Sequence, residues 1–243
     1  MDETRISQHS LGTTIAYHLL PGLVILTAYI LITPFLRSLG MPSMMSLWLI
    51  CLLALVPLEL GILYWLGKKR NDQFSLEGIV LNREKTPAWQ FALWTFVALA
   101  AAVLCFALFG ALDGVLQKLF AWLPGWFFFN SEDLSVYSNG LQFVNWLGIF
   151  LITGILASYV EELYFRGFLL PRMAWMKGWA PLIEAFLFAL YHFWSPWQLV
   201  TRFLAVLPLI FIVNRKRDLR IGVAAHWLLN TIGSLELLVA VFK

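Results

Sequence analysis

Charge is scarce in this sequence. Asp, Glu, Lys and Arg make up 13% of its 243 residues and apolar residues 60%, whereas an ordinary soluble domain is about a quarter charged. The mean hydropathy is +0.78. A chain this short has no interior large enough to hide that much apolar surface, which excludes a water-soluble globule and makes lipid the expected solvent. Cysteine is also rare. Cys51 and Cys105 lie in separate apolar runs, which argues against a disulfide framework or a thiolate metal site and reads them as packing residues. No strand-like alternation is long enough for a barrel, so the fold class is all-α. The first apolar stretch is too long for a signal peptide and lacks a small-residue cleavage site, so the first span is expected to target the chain uncleaved. No internal repeat and no room for a soluble domain is found, and no nucleic-acid partner is expected.

Apolar sequence is abundant, with twelve Trp and twenty Phe suited to acyl chains and interfaces. Crossing a bilayer takes about 20 residues. Seven candidate spans result: Ile15–Leu36, Met44–Leu66, Ala88–Leu112, Leu141–Leu170, Pro181–Ser195, Trp197–Asn214 and Ile221–Phe242. The fourth is overlong. The fifth is short, and Pro196 separates it from the sixth, which predicts a tight helical hairpin. The connector Asp113–Asn139 carries Trp122, Trp126 and Phe127–Phe129 around Pro124-Gly125; an amphipathic helix lying on the outer face, then a loop, is expected there.

The basic residues sort with this topology. Arg5, the loop with Lys68, Lys69, Arg70, Arg83 and Lys85, then Arg166, Arg172 and Lys177, and the turn with Arg215, Lys216, Arg217 and Arg220 share one side, 13 of the 17 Lys and Arg. The positive-inside rule makes that side cytoplasmic, with the N-terminus on it and, after seven spans, the C-terminus outside.

Several polar residues are out of place in such spans, where a charge costs about 2.5–3.5 kcal/mol on insertion scales. The fourth span carries Glu161-Glu162-Leu-Tyr-Phe-Arg166. Glu162 and Arg166 are four apart and can pair on one helix face, which leaves Glu161 with no local partner. The fifth span supplies Phe188 and His192, the seventh His226 and Asn230, each pair again four apart. At 1.5 Å per residue, Glu161 lies ~15 Å from Pro171, His192 ~18 Å from Ala180, and His226 and Asn230 ~10–17 Å beyond Arg220. These depths agree, so one polar cluster reached from the cytoplasm is expected. Outside it, Glu59 is expected to snorkel to the cytoplasmic interface, Glu184 to pair with Arg166 or Arg172, and Arg202 to reach outer headgroups. His9 and His18 lie too far away to belong.

Glu161-Glu162-x-x-x-Arg166, Phe188-x-x-x-His192 and His226-x-x-x-Asn230 together resemble the three-motif signature of the CPBP intramembrane peptidases, also called the Abi family. That family includes type II CAAX prenyl endopeptidases and bacteriocin-processing or immunity proteins. Each motif alone is weak; all three in order, each on its own span, are specific, and no motif position departs from the pattern. The likeness covers residues 141–243, a four-helix catalytic core, and leaves residues 1–140 as three helices plus the outer connector.

The resemblance implies an endopeptidase acting on a membrane-associated protein or peptide, of CAAX type and lipidated or of leader type. Glu161 would be the general base on water with help from His192, and His226 and Asn230 would stabilise the oxyanion. Glu162 and Arg166 would brace the helix and Phe188 would wall the site. A metal-free mechanism is favoured. Glu161, His192 and His226 also form a His₂Glu set suited to zinc, although no H-E-x-x-H run is present. A non-catalytic immunity or scaffold protein on the same fold stands as an alternative. A proton relay is another, although it would favour the repeat symmetry that is missing here.

Overall fold

A computed structural model describes residues 6–241. Among them the only sheet-like feature is a single bridge between Arg83 and Asp218, and the rest is helix and connecting turns. Helix α1 spans Leu11–Ser38 and α2 spans Ser43–Asn71. Helix α3 covers Ala88–Gln117, α4 covers 139–169, and α5 covers Ala180–Tyr191. Helix α6 is Leu199–Lys216 and α7 is Leu219–Val241.

Among the described residues six helical stretches are long and apolar enough to cross a membrane, so the chain is an integral membrane protein. The fourth and fifth expected spans are one stretch, Asn139–Tyr191, of 53 residues. At 1.5 Å per residue that is roughly 80 Å, far more than one ~30 Å crossing. It is broken within the 3₁₀ segment Leu170–Trp179, where Lys177 has φ 54° and ψ −129°. Helix α5 follows as only 12 residues, about 18 Å, which is why it does not qualify as a span by itself. It stops at His192, and Pro196 opens the turn into α6. The two pack side by side as the expected hairpin.

The connector departs from expectation. Residues 118–136 form four three-residue 3₁₀ turns rather than an amphipathic helix. Pro124-Gly125 interrupts the helix, and the Phe127–Phe129 run turns inward instead of lying flat, while Trp122 stays exposed. Phe127 and Phe129 are buried, Phe127 sits edge-on to Tyr29, and Phe128 contacts Trp197. Glu132 pins this connector by pairing with Arg37 and accepting from the Ser43 backbone N–H at 2.7 Å.

The opposite end of the bundle gathers the loop after α2, the end of α4 and the α6–α7 turn. The Leu81 N–H donates to Gly167 O at 2.8 Å, and the Asn82 side chain donates to Arg166 O at 2.8 Å. The Leu219 N–H donates to Asn82 O at 2.8 Å. Asp218 accepts from Thr86 at 2.9 Å and from Arg220. Burial alone would raise the Asp218 carboxyl, but the hydrogen bonds from Arg220 and Thr86 outweigh it and hold it below the usual range. The expected cytoplasmic cations Arg83, Arg166, Arg172, Arg217 and Arg220 therefore share one end, while Arg37 and the connector lie at the other.

Candidate active site

Helix α4 is the spine of the site. It is α-helical only over short lengths and has wide π turns at Ile149–Ala157 and Glu162–Leu169, on either side of Glu161. Such turns recur at functional sites because they re-aim side chains. Glu161 and Glu162 are both buried. Lipid offers no hydrogen bonds to either, so both must find partners on neighbouring helices.

Glu162 has two partners. His226 Nδ1 lies 3.0 Å from its Oε1, and Arg166 Nη1 lies 3.5 Å from the same atom. Arg166 reaches on to Glu184, with Nε 3.5 Å from Oε1. The Arg166 guanidinium also lies 4.0 Å from the centre of the Phe188 ring. Glu162, Arg166 and Glu184 are thus a wholly buried acid–base–acid triad. The pairing of Glu162 with Arg166 and of Glu184 with Arg166 is as the spacing predicts, and Phe188 is the plate on which the cation rests.

Glu161 faces the other way. Its Oε1 is 3.9 Å from His192 Nε2, and its Oε2 is 3.9 Å from His226 Nε2. His192 sits at the end of α5, where its Nδ1 is 2.9 Å from Phe188 O. A carbonyl can only accept, so Nδ1 carries a proton, and in the neutral ring Nε2 presents a lone pair to Glu161. The same logic applies to His226, whose Nδ1–H is directed at the Glu162 carboxylate. Its Nε2 donates only as imidazolium.

Asn230 lies one turn beyond His226, and its amide donates to Ser158 Oγ at 2.8 Å. One amide hydrogen remains free. All four expected catalytic residues, with Glu162, Arg166 and Phe188, line one cavity of about 220 Å³. A larger groove of about 910 Å³, lined by Met44, Trp48, Phe106 and Leu237 among others, adjoins it and shares Asn230 and Thr153.

Some residues stand elsewhere than expected. Glu59 does not snorkel: it is fully buried and accepts from Tyr191 Oη at 2.8 Å. Helix packing at that level leaves no path to the interface. Arg202 does not reach headgroups but turns inward to line the cavity, donating to Ser195 Oγ at 3.0 Å and Gln198 Oε1 at 2.7 Å. His18 is buried against Phe165, and His9 stacks on Tyr17; neither lines the cavity. Ser158 and Gly222 carry no motif signal, yet both shape the site. A Cβ on Gly222 would come within 2.4 Å of Glu162 Oε2, so α7 approaches α4 this closely only because that residue is glycine.

Zinc is the metal the donor set suggests. Among the described residues no group of three or more His, Cys, Asp or Glu is arranged to hold a metal ion. His192 Nε2 and His226 Nε2 each lie 3.9 Å from a different oxygen of Glu161.

No curated protein and no solved structure matches the chain. One family model does, described as type II CAAX prenyl endopeptidase Rce1-like, over residues 143–232. The matched region holds all three motifs and every helix that lines up Glu161, His192, His226 and Asn230. Residues 143–232 are therefore similar to an Rce1-like type II CAAX prenyl endopeptidase domain, in agreement with the CPBP pattern of the three motifs they contain.

Proposed function

We propose that the chain is an intramembrane endopeptidase in which Glu161 activates a water molecule to hydrolyse a peptide bond of a membrane-associated protein or peptide. The observation that carries this reading is the position of the Glu161 carboxylate, 3.9 Å from both His192 Nε2 and His226 Nε2 inside a buried cavity. That separation is too long for a direct hydrogen bond and suits one bridging water. The water donates one proton to Glu161 and the other to the His192 lone pair, which leaves an oxygen lone pair for attack.

In the reaction Glu161 takes a proton from water as its oxygen bonds to the peptide carbon. The carbonyl oxygen becomes an oxyanion, which accepts from the free Asn230 amide hydrogen and from His226 in its imidazolium form. Glu162 aims that ring. Collapse of the intermediate breaks the carbon–nitrogen bond, and Glu161 returns its proton to the leaving amine. The triad of Glu162, Arg166 and Glu184 keeps its geometry while the charge on Glu161 changes.

The substrate is proposed to be of CAAX or leader type, with lipid or apolar side chains in the 910 Å³ groove beside the cavity. The basic end of the bundle is proposed to face the cytoplasm, the side from which substrate enters. The N-terminal three helices brace a C-terminal catalytic core. The test is cleavage of a fluorogenic, prenylated peptide by the full chain in proteoliposomes. Wild type is expected to release product, and Glu161→Gln to be slower by about 10²–10⁴-fold; equal rates would defeat the mechanism. Unchanged activity in a chelator supports the metal-free form, and metal-restored loss would replace it.

A further inference from the structure

His192 stands just past the end of α5, and its ring lies 4.9 Å from each of three others, Phe188, Tyr191 and Trp194. The chain leaves the helix at this residue, with φ −80° and ψ 55°, and the His192 backbone N–H reaches Ala189 O only at 3.4 Å. Backbone hydrogen bonding therefore does little to fix the position. Tyr191 is held from two directions instead. On one side Gly22 of α1 packs so closely that a Cβ there would overlap the Tyr191 carbonyl and ring. On the other, Tyr191 Oη donates to Glu59 Oε1 of α2 at 2.8 Å.

Glu59 is fully buried, and its Oε2 has no hydrogen-bond partner. An acid inside a membrane bundle costs more than one hydrogen bond returns, so fold stability does not account for it. Leu47, Cys51 and Leu55 of α2 line the cavity, and Glu59 continues that row at the same four-residue spacing. A π turn over Cys51–Leu55 stands directly before it, the kind of turn that re-aims side chains at functional sites. Glu59 does not itself line the cavity; what it touches is Tyr191.

Resting on the endopeptidase reading above, we propose that Glu59 is a positioning residue for His192. It anchors the Tyr191 hydroxyl, and the Tyr191 ring in turn holds the imidazole so that Nε2 stays 3.9 Å from Glu161, a gap suited to one water. The site is then completed by α1 and α2, which lie outside residues 143–232. Glu59 takes no part in the proton transfers.

The test uses the full chain in proteoliposomes with the prenylated fluorogenic peptide. Tyr191→Phe and Glu59→Met each remove the anchor, and kcat is expected to fall at least tenfold with KM within about twofold of wild type. Glu59→Gln keeps an oxygen that accepts from Tyr191 Oη and should rescue kcat to within about threefold of wild type. A Glu59→Gln protein as slow as Glu59→Met would mean that the charge of Glu59 acts on Glu161 directly, and would overturn the proposal. The double variant Tyr191→Phe/Glu59→Met separates positioning from folding. Its stability should recover, because no buried acid is left without a partner, but its kcat should not. Recovery of kcat along with stability would make the pair purely structural and also overturn the proposal. The setting of His192 is read without turnover by nitrogen NMR of the histidine rings, assigned with His192→Gln. Wild type should show one tautomer, with the proton on Nδ1, and Tyr191→Phe and Glu59→Met a mixture of both. An unchanged His192 signal in those variants defeats the positioning role even if cleavage falls. A changed signal, where wild type cleaves nothing, keeps the role and defeats the peptidase.

Discussion

Glu162 and His226, 64 positions apart in sequence, meet with 3.0 Å between Oε1 and Nδ1. The contact locks α4 to α7 and keeps a proton on His226 Nδ1. It also leaves Glu162 compensating Arg166. Replacing Glu162 by Ala would strip a buried cation of one of its two carboxylates, a change worth about 3–5 kcal/mol when a buried pair is broken. Thermal unfolding of Glu162→Ala in detergent is expected to show that loss, and Glu162→Gln a smaller one because the amide oxygen still accepts from Nδ1–H. Equal stability of all three proteins would show that the pair does not hold the helices.

Gly222 is the steric counterpart of that contact. With a methyl group 2.4 Å from Glu162 Oε2, Gly222→Ala must push either the carboxylate or α7 aside. Activity is expected to fall at least tenfold while the protein stays folded, since 1 Å of misplacement at a reacting group can cost about 10²-fold. Gly110→Ala on α3 meets nothing within 4 Å and lines neither cavity, so it serves as the control, with activity near wild type.

A second buried acid makes a separate prediction. Glu59 Oε1 accepts from Tyr191 Oη at 2.8 Å, and its Oε2 has no partner. Tyr191→Phe would orphan the acid entirely, at a cost of about 1–3 kcal/mol. Adding Glu59→Met should recover part of it, because an apolar pair of similar volume needs no hydrogen bond. Denaturation midpoints of the two single variants and the double variant measure the coupling, and strict additivity would deny the bond any weight.

The chain before α1 is docked through His9. Its backbone N–H donates to Arg172 O at 2.9 Å, and its carbonyl accepts from the Trp175 indole at 2.7 Å. Burial, helped by the Arg172 charge, pushes the His9 imidazole down to about 4, from an ordinary value near 6.5. The docked form thus prefers neutral His9, and its stability, full at neutral pH, falls as pH drops from about 6.5 towards 4. Hydrogen exchange at the N-terminus should quicken over that window, and His9→Gln should flatten the dependence.

The sequence by itself determined the solvent, the helical class and the membership of the polar cluster that lines the cavity. Those follow from composition and from four-residue spacings, because lipid forces backbone bonds inside each helix and makes any buried Glu, His or Arg conspicuous. Glu161, Glu162, Arg166, Phe188, His192, His226 and Asn230 are all legible that way. Only the tertiary structure decided how charge is distributed among them. The burial of Glu59, the inward turn of Arg202, the glycine contact at Gly222 and the Ser158 bond to Asn230 depend on which helix faces which. So does the folding of the aromatic connector into the bundle's mouth. Helical period gives the face on which a residue stands but not the neighbour it meets. In a bilayer, where every face is apolar, hydrophobicity does not make that choice; packing and the need to satisfy each buried polar atom do.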